Sequence, residues 1–155
     1  MKRVLVIEDE QTIRENIIEI LQINGFDAQG ASDGERGLAL ARNHSPDIVI
    51  CDVMMDNLDG FGVLEKMRQD ARLGDTPFIF LTAMADHAAI RHGMNAGADD
   101  YITKPFTTHQ LIEALNNRLH DTPEHSAEMQ SLANHIHTLV TAHLNNVTID
   151  PTIIA

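Results

Sequence analysis

The chain has one cysteine (Cys51), no tryptophan and one tyrosine (Tyr101) among its 155 residues. A lone cysteine cannot close an internal disulfide, which fits a reducing compartment and points to the cytoplasm. Cys51 also lies inside the apolar run Ile48-Val49-Ile50-Cys51, where a thiol packs as a small hydrophobe. No apolar run reaches the roughly 20 residues that a membrane-spanning helix requires. The start, Met1-Lys2-Arg3, leads at once into a short run ending in acids, unlike a secretory signal. Positive charge is scarce: 11 Lys and Arg face 23 Asp and Glu, a formal net charge of −12. That balance opposes nonspecific binding of this segment to nucleic acid or to anionic membrane. The hydrophobic share of 43% excludes a disordered chain.

What is present is a strand-helix alternation repeated five times over residues 1–119. Val4-Leu5-Val6-Ile7, Ile48-Val49-Ile50-Cys51 and Phe78-Ile79-Phe80-Leu81 are short unbroken apolar runs, the pattern of strands buried on both faces. A weaker strand falls near Asp27–Ala31 and a short one at Tyr101-Ile102-Thr103. Between them, stripes such as Ile13, Ile17, Ile20 and Leu21, or Leu111, Ile112, Leu115 and Leu119, mark amphipathic helices. Asn24-Gly25 closes the first helix; Ser32-Asp33-Gly34 and Asp59-Gly60 open the second and third. Such a repeat implies an α/β fold, a parallel sheet with helices on both faces.

Two of the buried strands end in carboxylates: Glu8-Asp9-Glu10 after the first, Asp52 after the third. Ligands in open α/β sheets bind at the carboxyl ends of the strands. Acids crowded there repel one another and call for a hard, oxygen-loving cation such as Mg²⁺. Thr82 and Lys104 close two further apolar segments. Acids, a hydroxyl and an ammonium together form a set that can handle a phosphoryl group.

The segments VLVIEDE, DIVICDVMMDNLDG, FIFLTA and GADDYITKPF, in this order, resemble the receiver domain of bacterial response regulators of the chemotaxis-regulator type, from about residue 3 to residue 119. The resemblance implies a flavodoxin-like, doubly wound sheet of five parallel strands in the order 2-1-3-4-5, with five helices. It implies that Asp52 accepts a phosphoryl group from a histidine kinase or phosphotransfer protein. It places Mg²⁺ on Asp9, on Asp52, on the backbone carbonyl of Met54 and, through water, on Glu8. Lys104 and the Thr82 hydroxyl would meet the phosphoryl oxygens, and Tyr101, flanked by the small residues Ala83, Ala88 and Ala89, would turn inward as a switch. The Lys104–Pro105 bond would be cis. The face formed by the fourth helix, fifth strand and fifth helix would then control dimerisation or an output domain, without turnover of any independent substrate. Glu10 lies one residue too late for the acid pair and reads as the start of the first helix.

The chain departs from the family pattern at three places. The family usually has proline four residues after the acceptor; here Asp56 stands there, which implies a looser loop and altered metal affinity. Met54 and Met84 stand two residues beyond Asp52 and Thr82, where the hydrolytic water would pass. A thioether cannot orient water or act as a base, so slow self-dephosphorylation is expected.

Residues 120–155 hold no Lys or Arg but five of the nine histidines. Met129, Leu132, Ile136 and Leu139 follow heptad-like spacing over roughly two heptads, short of a coiled coil, which reads as a helical extension that packs on the first 119 residues, pairs with a second chain or leads into a further domain. His135, His137 and His143 lack the i, i+4 spacing of a helical metal site and read as surface histidines. The apolar end at Ile153-Ile154-Ala155 reads as a cut inside a longer protein, with a helical DNA-binding output domain as one candidate continuation. Three other readings compete. An aspartate-based phosphohydrolase would need an acid or base where Met54 stands. A flavodoxin-type nucleotide module would need a phosphate-cradling glycine loop where Glu8-Asp9-Glu10 stand. An interaction module independent of phosphorylation would make no use of Glu8, Asp9, Asp52, Thr82 and Lys104 as a set.

Overall fold

The computed structural model describes residues 1–83 and 87–119, with the backbone alone at His87 and Ala89. The chain divides after Leu119 into two units, and the fold described is that of the first. The expectations for Met84 and for residues 120–155 lie outside the described residues.

Strands β1 (Arg3–Ile7), β2 (Asp27–Ala31), β3 (Ile48–Asp52), β4 (Phe78–Thr82) and β5 (Asp100–Thr103) alternate with helices α1 (Gln11–Ile23), α2 (Gly34–His44), α3 (Gly60–Gln69), α4 (His87–Asn95) and α5 (Thr108–Leu119). All strand pairs are parallel, and the sheet order is β2-β1-β3-β4-β5. The fold and strand order implied by the resemblance are therefore those observed.

The period-2 geometry of strands sorts the apolar runs onto two faces. Val4, Val6, Ile48, Ile50, Ile79 and Leu81 pack with Ile17 and Leu21 of α1 and Leu111 and Leu115 of α5. Leu5, Ile7, Val49, Cys51, Phe78 and Phe80 pack with Leu38 of α2 and Val63, Leu64 and Met67 of α3. Every residue of β3 and β4 is buried, which is why those runs do not alternate with polar residues. Cys51 lies in the second cluster, and burial, then the charge of Asp52, pushes its thiol pKa well up.

The helix ends follow local chemistry. Asp33 and Asp59 cap α2 and α3 by accepting from the backbone N–H of Arg36 at 2.8 Å and of Gly62 at 2.9 Å. Helix α1 closes in a Schellman arrangement: Phe26 N–H donates to Leu21 O and Gly25 N–H to Gln22 O, with Gly25 at φ +89°. Glu10 is the N-cap of α1 but makes no side-chain capping bond, so its contribution there is its charge alone. No helix among the described residues is long and apolar enough to cross a membrane.

Candidate functional site

The parallel register brings four strand ends together. Ile7 of β1 pairs with Cys51 of β3, so Glu8 and Asp9 follow beside Asp52. Asp52 pairs with Leu81 and Thr82 with Thr103, which sets Thr82 and Lys104 on the same edge. Lys104 N–H donates to Thr82 O at 2.8 Å, and the Lys104–Pro105 bond is cis.

Carboxylate oxygens of Glu8, Asp9 and Asp52 lie within 4.8 Å of one another. Glu8 and Asp52 are 1% and 6% exposed, so their charges are removed from bulk water. Lys104 Nζ bridges them, at 2.7 Å from Glu8 Oε1 and 3.4 Å from Asp52 Oδ2. Burial alone would lower the lysine pKa. The hydrogen bond to Glu8 and the charges of Asp52 and Glu8 outweigh it, so the net shift is upward and Lys104 is an ammonium at neutral pH.

This donor set fits a hard divalent cation. Three carboxylates against one ammonium leave excess negative charge, and oxygen is the ligand Mg²⁺ takes. Glu8 is the least free of the three: Oε1 takes Lys104 and Oε2 accepts the Glu10 N–H at 3.1 Å. Asp9 is exposed, yet its pKa is raised, by partial burial first, then by its hydrogen bond to Glu8 and the Glu8 charge, with Lys104 opposing. The sign follows from linkage: the contribution of Asp9 to stability is full below its ordinary value of 3.8 and is lost as pH rises through the raised value. At neutral pH the ionised Asp9 therefore counts against the metal-free fold. Asp9→Asn should raise the thermal midpoint of metal-free protein at pH 7 while weakening Mg²⁺ binding by more than about tenfold. Melting curves in chelator and in Mg²⁺ check both halves.

Around the cluster, Met54 N–H reaches Asp52 Oδ1 at a long 3.4 Å, and the Met54 side chain is 64% exposed. Asp56 is exposed and is not one of the clustered carboxylates, so its charge acts from outside them. Thr82 is buried at the end of β4. Tyr101 is 41% exposed, at the rim of a slot of about 10 Å³ between Phe61, Phe80, Thr82, Ile90 and Met94. That volume suits one water, not a phenol ring. An inward Tyr101 thus requires the residues lining the slot to make room.

Arg14 escaped the sequence reading. It donates from Nη1 to the Glu8 carbonyl at 2.8 Å, although an arginine on a surface helix carries no signal of such a role. The clue available was Gly30, an odd residue for a strand, against which the arginine stem lies.

Residues 4–116 match the family described as the response regulator receiver domain. The chain is 37% identical over 122 residues to the DNA-binding dual master transcriptional regulator RpaA of Synechocystis, covering 79% of this chain and 51% of that protein. It is 37% identical over 149 residues to the probable transcriptional regulator ycf27 of Guillardia theta, covering 96% and 56%. It thus spans about half the length of the curated relatives it matches. Among solved structures, the chemotaxis protein CheY4 of Vibrio cholerae aligns at TM-score 0.74 and 30% identity, covering 76% of this chain and 98% of that one. The Francisella response regulator 1452 receiver domain aligns at TM-score 0.72 and 34% identity, covering 77% and 97%.

Proposed function

The chain belongs to the response regulator receiver family, and from that premise we propose that residues 1–119 form a switch that takes a phosphoryl group on Asp52 from a histidine kinase or phosphotransfer protein. The observation that carries this reading is the gathering of Glu8, Asp9 and Asp52 oxygens within 4.8 Å, with Lys104 bridging two of them. A buried carboxylate beside a fixed ammonium is placed to act as a nucleophile toward phosphorus. An Asp52 oxygen attacks phosphorus, the bond from phosphorus to the donor nitrogen breaks, and its electron pair leaves on the donor imidazole. The product is an acyl phosphate.

Asp9, Asp52 and the Met54 carbonyl would hold Mg²⁺, with Glu8 behind water. The ion supplies charge stabilisation on the equatorial phosphoryl oxygens when bound. Lys104 meets a phosphoryl oxygen from the opposite side, keeping its contact with Glu8 as an anchor. The Thr82 hydroxyl turns toward the new anion, and Tyr101 fills the space vacated beside α4. The α4-β5-α5 face then changes the chain's partners: a second copy of the chain or an output domain. The names of the relatives make transcriptional control the candidate output, and the lone cysteine fits the cytoplasm as the location. The domain acts on its own acyl phosphate and turns over no independent substrate.

The test is incubation with Mg²⁺ and a small phosphodonor, followed by mass spectrometry of the intact chain. One added phosphoryl group supports the reading; none contradicts it. Because the exposed Met54 thioether cannot orient water, the acyl phosphate should persist for minutes to hours after the donor is removed. A lifetime of seconds would contradict the role given to Met54.

A further inference from the structure

We propose that Arg14 is the positioning residue of the acid pair, holding the Glu8 carbonyl, and that bare backbone at Gly30 forms its seat. The turn from β1 to α1 carries both Glu8 and Asp9. Three ties fix it from other directions. Glu8 N–H donates to Ala31 O at 3.0 Å, Glu10 N–H to Glu8 Oε2 at 3.1 Å, and Lys104 Nζ to Glu8 Oε1 at 2.7 Å. The Glu8 carbonyl takes the fourth, from Arg14 Nη1 at 2.8 Å. Arg14 N–H donates to Glu10 O as an ordinary helix bond, so the guanidinium reaches back past the first turn of α1 to the residue that precedes Asp9.

The stem explains how so long a side chain can position anything. A Cβ on Gly30 would stand 3.1 Å from both Cγ and Cδ of Arg14 and 2.7 Å from Ile18 Cδ1. Arg14 and Ile18 therefore lie flat on β2 where that strand has no side chain. A planar guanidinium on a pinned stem loses little further freedom when it forms its hydrogen bond. Gly30, unfavourable for a strand on propensity alone, has a packing reason to be there.

The inference rests on the reading of Asp9 as a metal ligand, and Mg²⁺ affinity tests it with a definite sign. If Arg14 acted only as a nearby positive charge, its removal would tighten binding of a divalent cation. As the anchor of the turn, its removal loosens the ligand and weakens binding. Calorimetric Mg²⁺ titration should find Arg14→Ala about tenfold weaker than wild type. Arg14→Lys should fall between them, because it keeps the charge and loses the fork. Gly30→Ala keeps both the guanidinium and its charge and should weaken binding in the same direction. In metal-free protein, the Glu10 amide should exchange faster in Arg14→Ala. Arg14→Ala and Gly30→Ala binding Mg²⁺ as tightly as wild type, or more tightly, overturns the inference while leaving the metal site intact. A wild type that binds no Mg²⁺ overturns the metal reading and this inference with it.

Discussion

With Mg²⁺ and a small phosphodonor, Asp52→Asn should take up no detectable phosphoryl group while the wild type takes up one. The substitution exchanges an anionic oxygen for an uncharged amide of nearly the same shape, which removes the nucleophile without opening a cavity. Asp52 is only 6% exposed, so no water replaces it. The fold should not suffer. The bonds from Met54 N–H and Lys104 Nζ to the Asp52 side-chain oxygens are both 3.4 Å and weak, whereas Lys104 keeps its 2.7 Å contact with Glu8. Glu8 and Asp9 also lose a neighbour of like charge. The metal-free variant should therefore melt at or above the wild-type temperature. Loss of phosphorylation together with an unchanged or raised midpoint is the expected pair. Uptake by Asp52→Asn at the wild-type rate would put the acceptor elsewhere and end the reading. A midpoint several degrees lower would mean that the carboxylate holds the fold together, contrary to the geometry.

The strands and the site could be read from the sequence for one reason: both depend on local pattern. Ile48-Val49-Ile50-Cys51 announces a strand buried on two faces, and the acid that follows it must sit at a strand end. The same holds for Ile7 before Glu8 and for Leu81 before Thr82. Strand order does not follow from such patterns, because it is decided by which crossover packs on which face; here the resemblance supplied it. The long side chains were not readable at all. Arg14 and Arg68 bond to backbone carbonyls in other segments, and a carbonyl has no residue type to signal it. Both arginines lie on helices, where the default expectation is a solvated cation. Gly30, unfavourable in a strand on propensity alone, is the contact surface for Arg14.

Arg68 offers the larger effect on stability, at the end of the sheet away from the acids. From the last turn of α3 it donates through Nη1 to Gly74 O at 3.1 Å and Thr76 O at 2.7 Å. Nη2 reaches Gly97 O at 2.7 Å and Asp99 Oδ2 at 3.2 Å, and Nε also reaches Gly97 O, at 3.2 Å. Asp99 Oδ2 in turn accepts the Phe78 N–H at 2.8 Å. One guanidinium thus staples the segments entering β4 and β5 to α3, with its side chain 22% exposed. Arg68→Ala frees those carbonyls and leaves Asp99 without its cation. Some recover bonds to water, so the loss should be about 3 kcal/mol, less than the sum of the bonds removed. Urea unfolding should show it as a lower midpoint at unchanged slope. Arg68→Lys should recover less than half, since an ammonium cannot span carbonyls on two segments. The clamp touches the entrances of β4 and β5, while Thr82 and Lys104 stand at their exits, so Mg²⁺ affinity of the folded variant should match wild type. A stability change under about 1 kcal/mol would show that water satisfies these carbonyls as well as arginine does. A shift in metal affinity would show instead that strain at one edge of the sheet reaches the other, and the two arginines, Arg14 and Arg68, would then differ in distance from the acids but not in kind.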